Sequence, residues 1–128
     1  MFKESYAFSG FSVNDIEEAR EFYGDVLGLD IVEDPMGLRI KLNGGNSIFV
    51  YQKDDHVPAS YTVLNFPVED IDMAVDTLIG QGVEPERYSD MPNAQDEKGI
   101  LRGVAAGQGP DIGWFKDPAG NILSVLSD

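Results

Sequence analysis

A short stretch occurs twice in this chain. Val13-Asn14-Asp15-Ile16-Glu17-Glu18-Ala19 runs in step with Val68-Glu69-Asp70-Ile71-Asp72-Met73-Ala74. Each copy follows a β-rich run, Ala7 to Val13 and Tyr61 to Val68, and opens a helical pattern that runs into glycine. The glycine is Gly28 in the first copy, and Gly80 and Gly82 in the second. An internal repeat constrains the fold strongly, because each copy must form the same supersecondary unit. The 128 residues hold one compact domain made of two such units, not two independent domains.

The helices carry their own local signals. In the second, Ile71, Ala74, Val75, Leu78 and Ile79 make one apolar stripe; Ile16, Ala19, Tyr23, Val26 and Leu27 make the equivalent stripe in the first. Asn14 followed three residues later by Glu17 resembles a capping box, and Asp70 caps the second helix in the same way. Strand-like pieces follow each helix. In the first half they are Leu29 to Glu33, Leu38 to Leu42 and Ser47 to Gln52, separated by Asp34-Pro35-Met36-Gly37 and Asn43-Gly44-Gly45-Asn46 turns. In the second half they are Glu84 to Ser89, Ile100 to Ala105 with Ile112 to Lys116 beyond a glycine-rich turn, and Ile122 to Leu126.

The order is thus βαβββ twice. The modules span about residues 5–53 and 61–128, with a polar linker at about 54–60 that carries His56. One such unit leaves a sheet face uncovered. The expected fold is α+β: two βαβββ modules forming a curved mixed sheet, helices outside and an enclosed cleft within.

Composition removes much of the functional menu. The chain has no cysteine, which excludes disulfides, thiolate nucleophiles and sulfur-ligated metals. His56 is the sole histidine, and its polar surroundings predict a solvated loop residue. The net charge of −14 repels phosphate backbones and anionic membranes, so neither nucleic acid nor membrane is an expected partner. The same charge serves solubility or attracts a cationic ligand. No apolar run approaches the roughly 20 residues of a membrane helix, and Met1-Phe2-Lys3-Glu4-Ser5 opens no secretory signal. A cytoplasmic location is expected.

Two motifs bracket the repeat. Val13-x-Asp15, Phe22-Tyr23 and Val26-Leu27-Gly28-Leu29 lie near the start; Trp114-Phe115-Lys116-Asp117-Pro118-Ala119-Gly120-Asn121-Ile122-Leu123 lies near the end. Together they resemble the opening and closing motifs of the vicinal-oxygen-chelate superfamily, the glyoxalase, bleomycin-resistance and dioxygenase type of domain. Physically, both motifs specify turns and core, not chemistry. The resemblance implies four metal-ligand positions, and counting from the motifs places them at Phe8, Phe49, Val63 and Ser124. These side chains cannot make a divalent metal site. No metal and no cofactor are expected.

Strand alternation then populates the cleft. Phe8 shares a face with Gly10 and Ser12, Phe49 with Tyr51, Val63 with Tyr61 and Asn65, and Ser124 with Leu126. Either these aromatic and apolar groups line a binding pocket or they fill the former cavity as core. Trp114 is either core or a stacking surface near the pocket mouth. Ser89 to Pro110 reads as a solvated loop or a flap over the cleft, with Arg102 and Asp111 available to a ligand.

Three functions compete. The first is binding or sequestering a small cationic or aromatic molecule, as the resemblance to bleomycin-resistance proteins implies, in a homodimer. The second is a metal-independent enzyme of lyase, dioxygenase or isomerase type, with Tyr51, Tyr61 or Asp111 as acid or base. No nucleophile–base pair is visible in the sequence to support it. The third is a structural or regulatory module acting through a dimer interface.

Overall fold

The computed structural model describes residues 1–90 and 94–128. Two compact units emerge, Met1–Pro58 and Ala59–Asp128. Each has its own four-stranded mixed sheet, the α+β plan expected of two βαβββ modules. The strand orders are the same: within each unit the first strand lies beside the fourth, followed by the third and the second.

In the first unit β1 (Ser9–Val13) leads to α1 (Ile16–Arg20), then β2 (Asp30–Asp34), β3 (Gly37–Lys41) and β4 (Ser47–Gln52). β1 pairs parallel with β4, while β4–β3 and β3–β2 are antiparallel. Alternation sends Val13, Leu38, Ile40, Ile48 and Val50 to the helix side, where they are buried with Ala19, Phe22 and Tyr23. The helix does not stay α-helical. Glu21–Val26 forms a wider π-helical turn, closed by Leu27 N donating to Phe22 O (2.9 Å) before Gly28 at φ +73°. Both Phe22 and Tyr23 are buried on it, in edge-to-face contact at 5.1 Å.

The expected cap at Asn14 is corrected. Asp15 is the N-cap, its Oδ1 accepting from the Glu17 and Glu18 amides at 3.0 and 3.2 Å. Gln52 Oε1 of β4 takes the Ile16 amide (2.9 Å), so the first turn is satisfied without Asn14, which is exposed. Asp15→Ala is expected to cost about 1 kcal/mol in urea denaturation. Asn14→Ala should cost no more than about 0.5 kcal/mol; equal losses would return the cap to Asn14.

The second unit repeats the plan with β5 (Thr62–Pro67), α2 (Ile71–Gly80), β6 (Leu101–Arg102), a helical turn α3 (Gly103–Ala106), β7 (Asp111–Lys116) and β8 (Ile122–Ser127). Asp70 Oδ1 caps α2 through the Met73 amide (3.0 Å), as expected. Ile79, assigned to the buried stripe, is 47% exposed. Leu64, Ile71, Val75, Leu78, Ile100, Phe115, Leu123 and Val125 make the core.

Two expected strands fail here. Glu84 to Ser89 is not a strand: Pro85 has no amide to donate, and Glu86 N donates to Trp114 O (2.8 Å) without further ladder pairing among the described residues. The strand expected over Ile100 to Ala105 shrinks to Leu101–Arg102. Asp111 Oδ1 accepts the Val104 amide (3.1 Å) and starts a helical turn that Gly107 ends at φ +66°. The stretch Ser89 to Pro110, read as loop or flap, includes residues 91–93, which lie outside the described residues. Its described part is tied down: Gln95 bonds the Tyr88 amide and the Glu86 and Gly99 carbonyls. Among the described residues no helix is long and apolar enough to cross a membrane.

Candidate functional site

Each sheet has its helix on one face, so the candidate site residues are those that alternation sends to the other. In the first unit that face carries Gly10 and Ser12 of β1, Ser47, Phe49 and Tyr51 of β4, and Arg39 and Lys41 of β3. Phe49 pairs with Gly10 on one side and Arg39 on the other. The Phe49 and Tyr51 rings stack at 5.8 Å with 19° between planes. Phe8, just before β1, is 71% exposed. It joins Phe49, Ser47, Arg39 and the β2–β3 turn residues Asp34, Pro35 and Met36 around an open groove of about 530 Å³. Arg39 Nε lies 3.4 Å from Asp34 Oδ2 at its rim. Phe8, Phe49 and Tyr51 are thus brought together on one face.

In the second unit the equivalent face holds Trp114 opposite Ser124 in the β7–β8 register, and Asn65 opposite Ser124 in the β5–β8 register. Ser124 is fully buried and its Oγ donates to Asn65 Oδ1 (2.6 Å). Trp114 Nε1 donates to Thr62 Oγ1 (3.2 Å), and Tyr88 meets the indole edge-on at 5.6 Å. The Tyr88 hydroxyl is buried with no hydrogen-bond partner among the described residues. Burial, helped by the Glu86 charge, holds its pKa above that of an ordinary phenol. Val63 is half-buried at a register shift in β5, and Tyr61 precedes the strand at 69% exposure.

Arg102 is occupied by the protein itself. Its guanidinium binds both oxygens of Asp72 (2.8 and 3.1 Å) and Asp96 Oδ2 (3.0 Å), with Asp111 Oδ2 at 3.6 Å. Lys98 adds pairs to Asp72 (3.3 Å) and Asp76 (3.0 Å). These hydrogen bonds, those from Arg102 first, hold the Asp72 carboxyl below the usual carboxylate range and raise Arg102. The network ties α2 to β6 and β7. Arg102 and Asp111, read as ligand contacts or acid–base groups, here hold local structure. Among the described residues no three His, Cys, Asp or Glu side chains are grouped to hold a metal ion.

Sequence reasoning missed Arg39, Met36 and Tyr88. Arg39 was within reach, since it sits in cross-strand step with Phe49 on the same face. It also missed where His56 goes. The ring is half-buried and its Nδ1 lies 2.6 Å from Ser12 Oγ, so His56 is not a freely solvated loop residue.

Two βαβββ units of identical strand order, each with one sheet face turned from its helix, define a duplicated α+β domain. The chain belongs to the Glyoxalase/Bleomycin resistance protein/Dioxygenase superfamily, whose profile matches residues 7–125. Solved structures agree on the fold. A member of that superfamily from Sphaerobacter thermophilus DSM 20745 is 25% identical, with TM-score 0.67 over 98% of this chain and 99% of that one. TnmS3, an antibiotic binding protein from Streptomyces sp. CB03234, is 22% identical, with TM-score 0.65 and 97% of each chain covered. The genomically encoded fosfomycin resistance protein FosX from Listeria monocytogenes is 13% identical, with TM-score 0.68 over 98% of this chain and 93% of that one. No curated protein is similar enough to count as a match.

Proposed function

We propose that this chain binds and sequesters a small aromatic molecule without using a metal ion. One observation carries the reading. At the positions where the family resemblance implies metal ligands stand Phe8, Phe49 and Val63, which offer no donor atom, and Ser124, whose hydroxyl is given to Asn65. Those residues do not fit a divalent ion. The groove beside Phe8 and Phe49 supplies flat apolar surface, and the stacked Phe49–Tyr51 pair is suited to a planar ligand. Net charge of −14 favours a cationic one. The antibiotic-binding and fosfomycin-resistance relatives are consistent with such a role. A cytoplasmic homodimer belongs to the same reading.

The test is a thermal-shift and tryptophan-quenching screen of cationic, neutral and anionic aromatic compounds, each with and without nickel, zinc and iron(II). Trp114, the lone tryptophan, is the reporter. The expected result is saturable, metal-independent binding that stabilises the fold by about 2.7 kcal/mol at a hundredfold excess over Kd. Phe49→Ala should weaken it about tenfold. Stabilisation by a metal alone would overturn the reading, and no binding across the panel would favour a structural or regulatory module.

A further inference from the structure

We propose that Ser12 and His56 form a nucleophile–base pair that cleaves small aryl esters. Ser12 sits on β1 between Phe11 and Val13, which turn toward the helix, so its hydroxyl stands on the face of the first sheet turned from the helix. His56 reaches it by a specific fold of the chain after β4. Lys53 N donates to Val13 O (2.9 Å) and extends the parallel pairing by one residue. His56 N then donates to Lys53 O (3.1 Å), which closes the turn and lays the imidazole against Ser12. The resulting Oγ to Nδ1 separation of 2.6 Å is the contact a serine needs from its general base. With the ring proton on Nε2, Nδ1 accepts from the serine hydroxyl.

The neighbouring surface suggests the substrate class. Tyr51 is the direct cross-strand partner of Ser12, and Phe49 stacks on Tyr51. An aryl group lying along those rings presents its ester carbonyl to Ser12. In the first step Oγ bonds to the acyl carbon, His56 Nδ1 takes the hydroxyl proton, the ester C–O bond breaks, and the phenol leaves with that proton. In the second, water attacks the acyl carbon while Nδ1 takes its proton. The Oγ–C bond then breaks, the proton returns to Oγ, and a carboxylic acid is released. The activity is separate from ligand sequestration, which can hold whether or not esters are cleaved.

The experiment uses a fluorophosphonate probe and p-nitrophenyl acetate on the full chain. The probe should add to Ser12, located by peptide mass mapping, as Oγ–P forms and fluoride leaves. His56→Gln keeps a hydrogen-bonding group beside Ser12 but supplies no base. It should melt near the parent temperature and label about a hundredfold more slowly. Ser12→Ala should lose p-nitrophenyl acetate turnover. Absence of an adduct on Ser12 in the unaltered protein would overturn the proposal. So would labelling of His56→Gln at the parent rate, or full turnover by Ser12→Ala.

Discussion

Tyr23→Ala is expected to lower the unfolding free energy by about 3–5 kcal/mol. Tyr23 has no exposed surface and is the largest fully buried side chain. It stands on the π-helical turn, where its ring meets Phe11 of β1 at 5.9 Å and Phe22 at 5.1 Å. Removing it opens a cavity between the helix and the first sheet, and the backbone on both sides is too well bonded to collapse into it. Small domains have only about 5–15 kcal/mol in total, so the variant should be marginal. Tyr23→Phe keeps the ring and should cost about 1 kcal/mol. Urea denaturation checks both, with a lowered midpoint and an unchanged slope. A loss under about 1 kcal/mol for the alanine variant would mean that the helix is not seated by this ring.

That site also shows how far the sequence could be read. The repeat announced two βαβββ units, and alternation in Ser47–Gln52 separated Ile48 and Val50 from Phe49 and Tyr51 correctly. Helical periodicity placed Tyr23 in the buried stripe. It could not announce a π-type turn, which depends on the sheet that receives both Phe22 and Tyr23. Glu84 to Ser89 looked like a strand because its composition allows one. Its conformation is set instead by Gln95 and by the backbone bond from Glu86 to Trp114, both tertiary facts.

The site was legible to the same degree. The positions implied by the family resemblance included Phe8 and Phe49, and both line the groove of the first unit. Arg102 was a different matter: its three carboxylate neighbours, Asp72, Asp96 and Asp111, come from separate segments that no local pattern connects. Ser12 and His56 are 44 residues apart, and the polar run around His56 predicted only solvent. Their meeting depends on two backbone bonds, Lys53 to Val13 and His56 to Lys53, which no periodicity encodes.

Asp117→Ala is expected to cost about 3–4 kcal/mol and to lower Tm by on the order of 10 °C. The closing motif owes its force to this side chain, which is almost wholly buried. Its Oδ1 accepts from the Ala119 and Asn121 amides (3.0 and 2.8 Å), and its Oδ2 accepts from Asn121 Nδ2 (3.0 Å). The backbone closes around it, with Asp117 N donating to Asn121 O and Gly120 N to Asp117 O, both at 3.0 Å, and Gly120 at φ +88°. Alanine removes three charge-assisted bonds and strands the buried Asn121 donors. Because this turn sets the β7–β8 register, which holds Trp114 opposite Ser124, the loss should reach the indole. Trp114 emission should therefore broaden and shift to the red in the variant below its Tm. Asp117→Asn retains an acceptor for the two amides and should fall between parent and alanine. A Tm drop with unchanged Trp114 emission would confine Asp117 to the turn and leave the register to the sheet's own pairing.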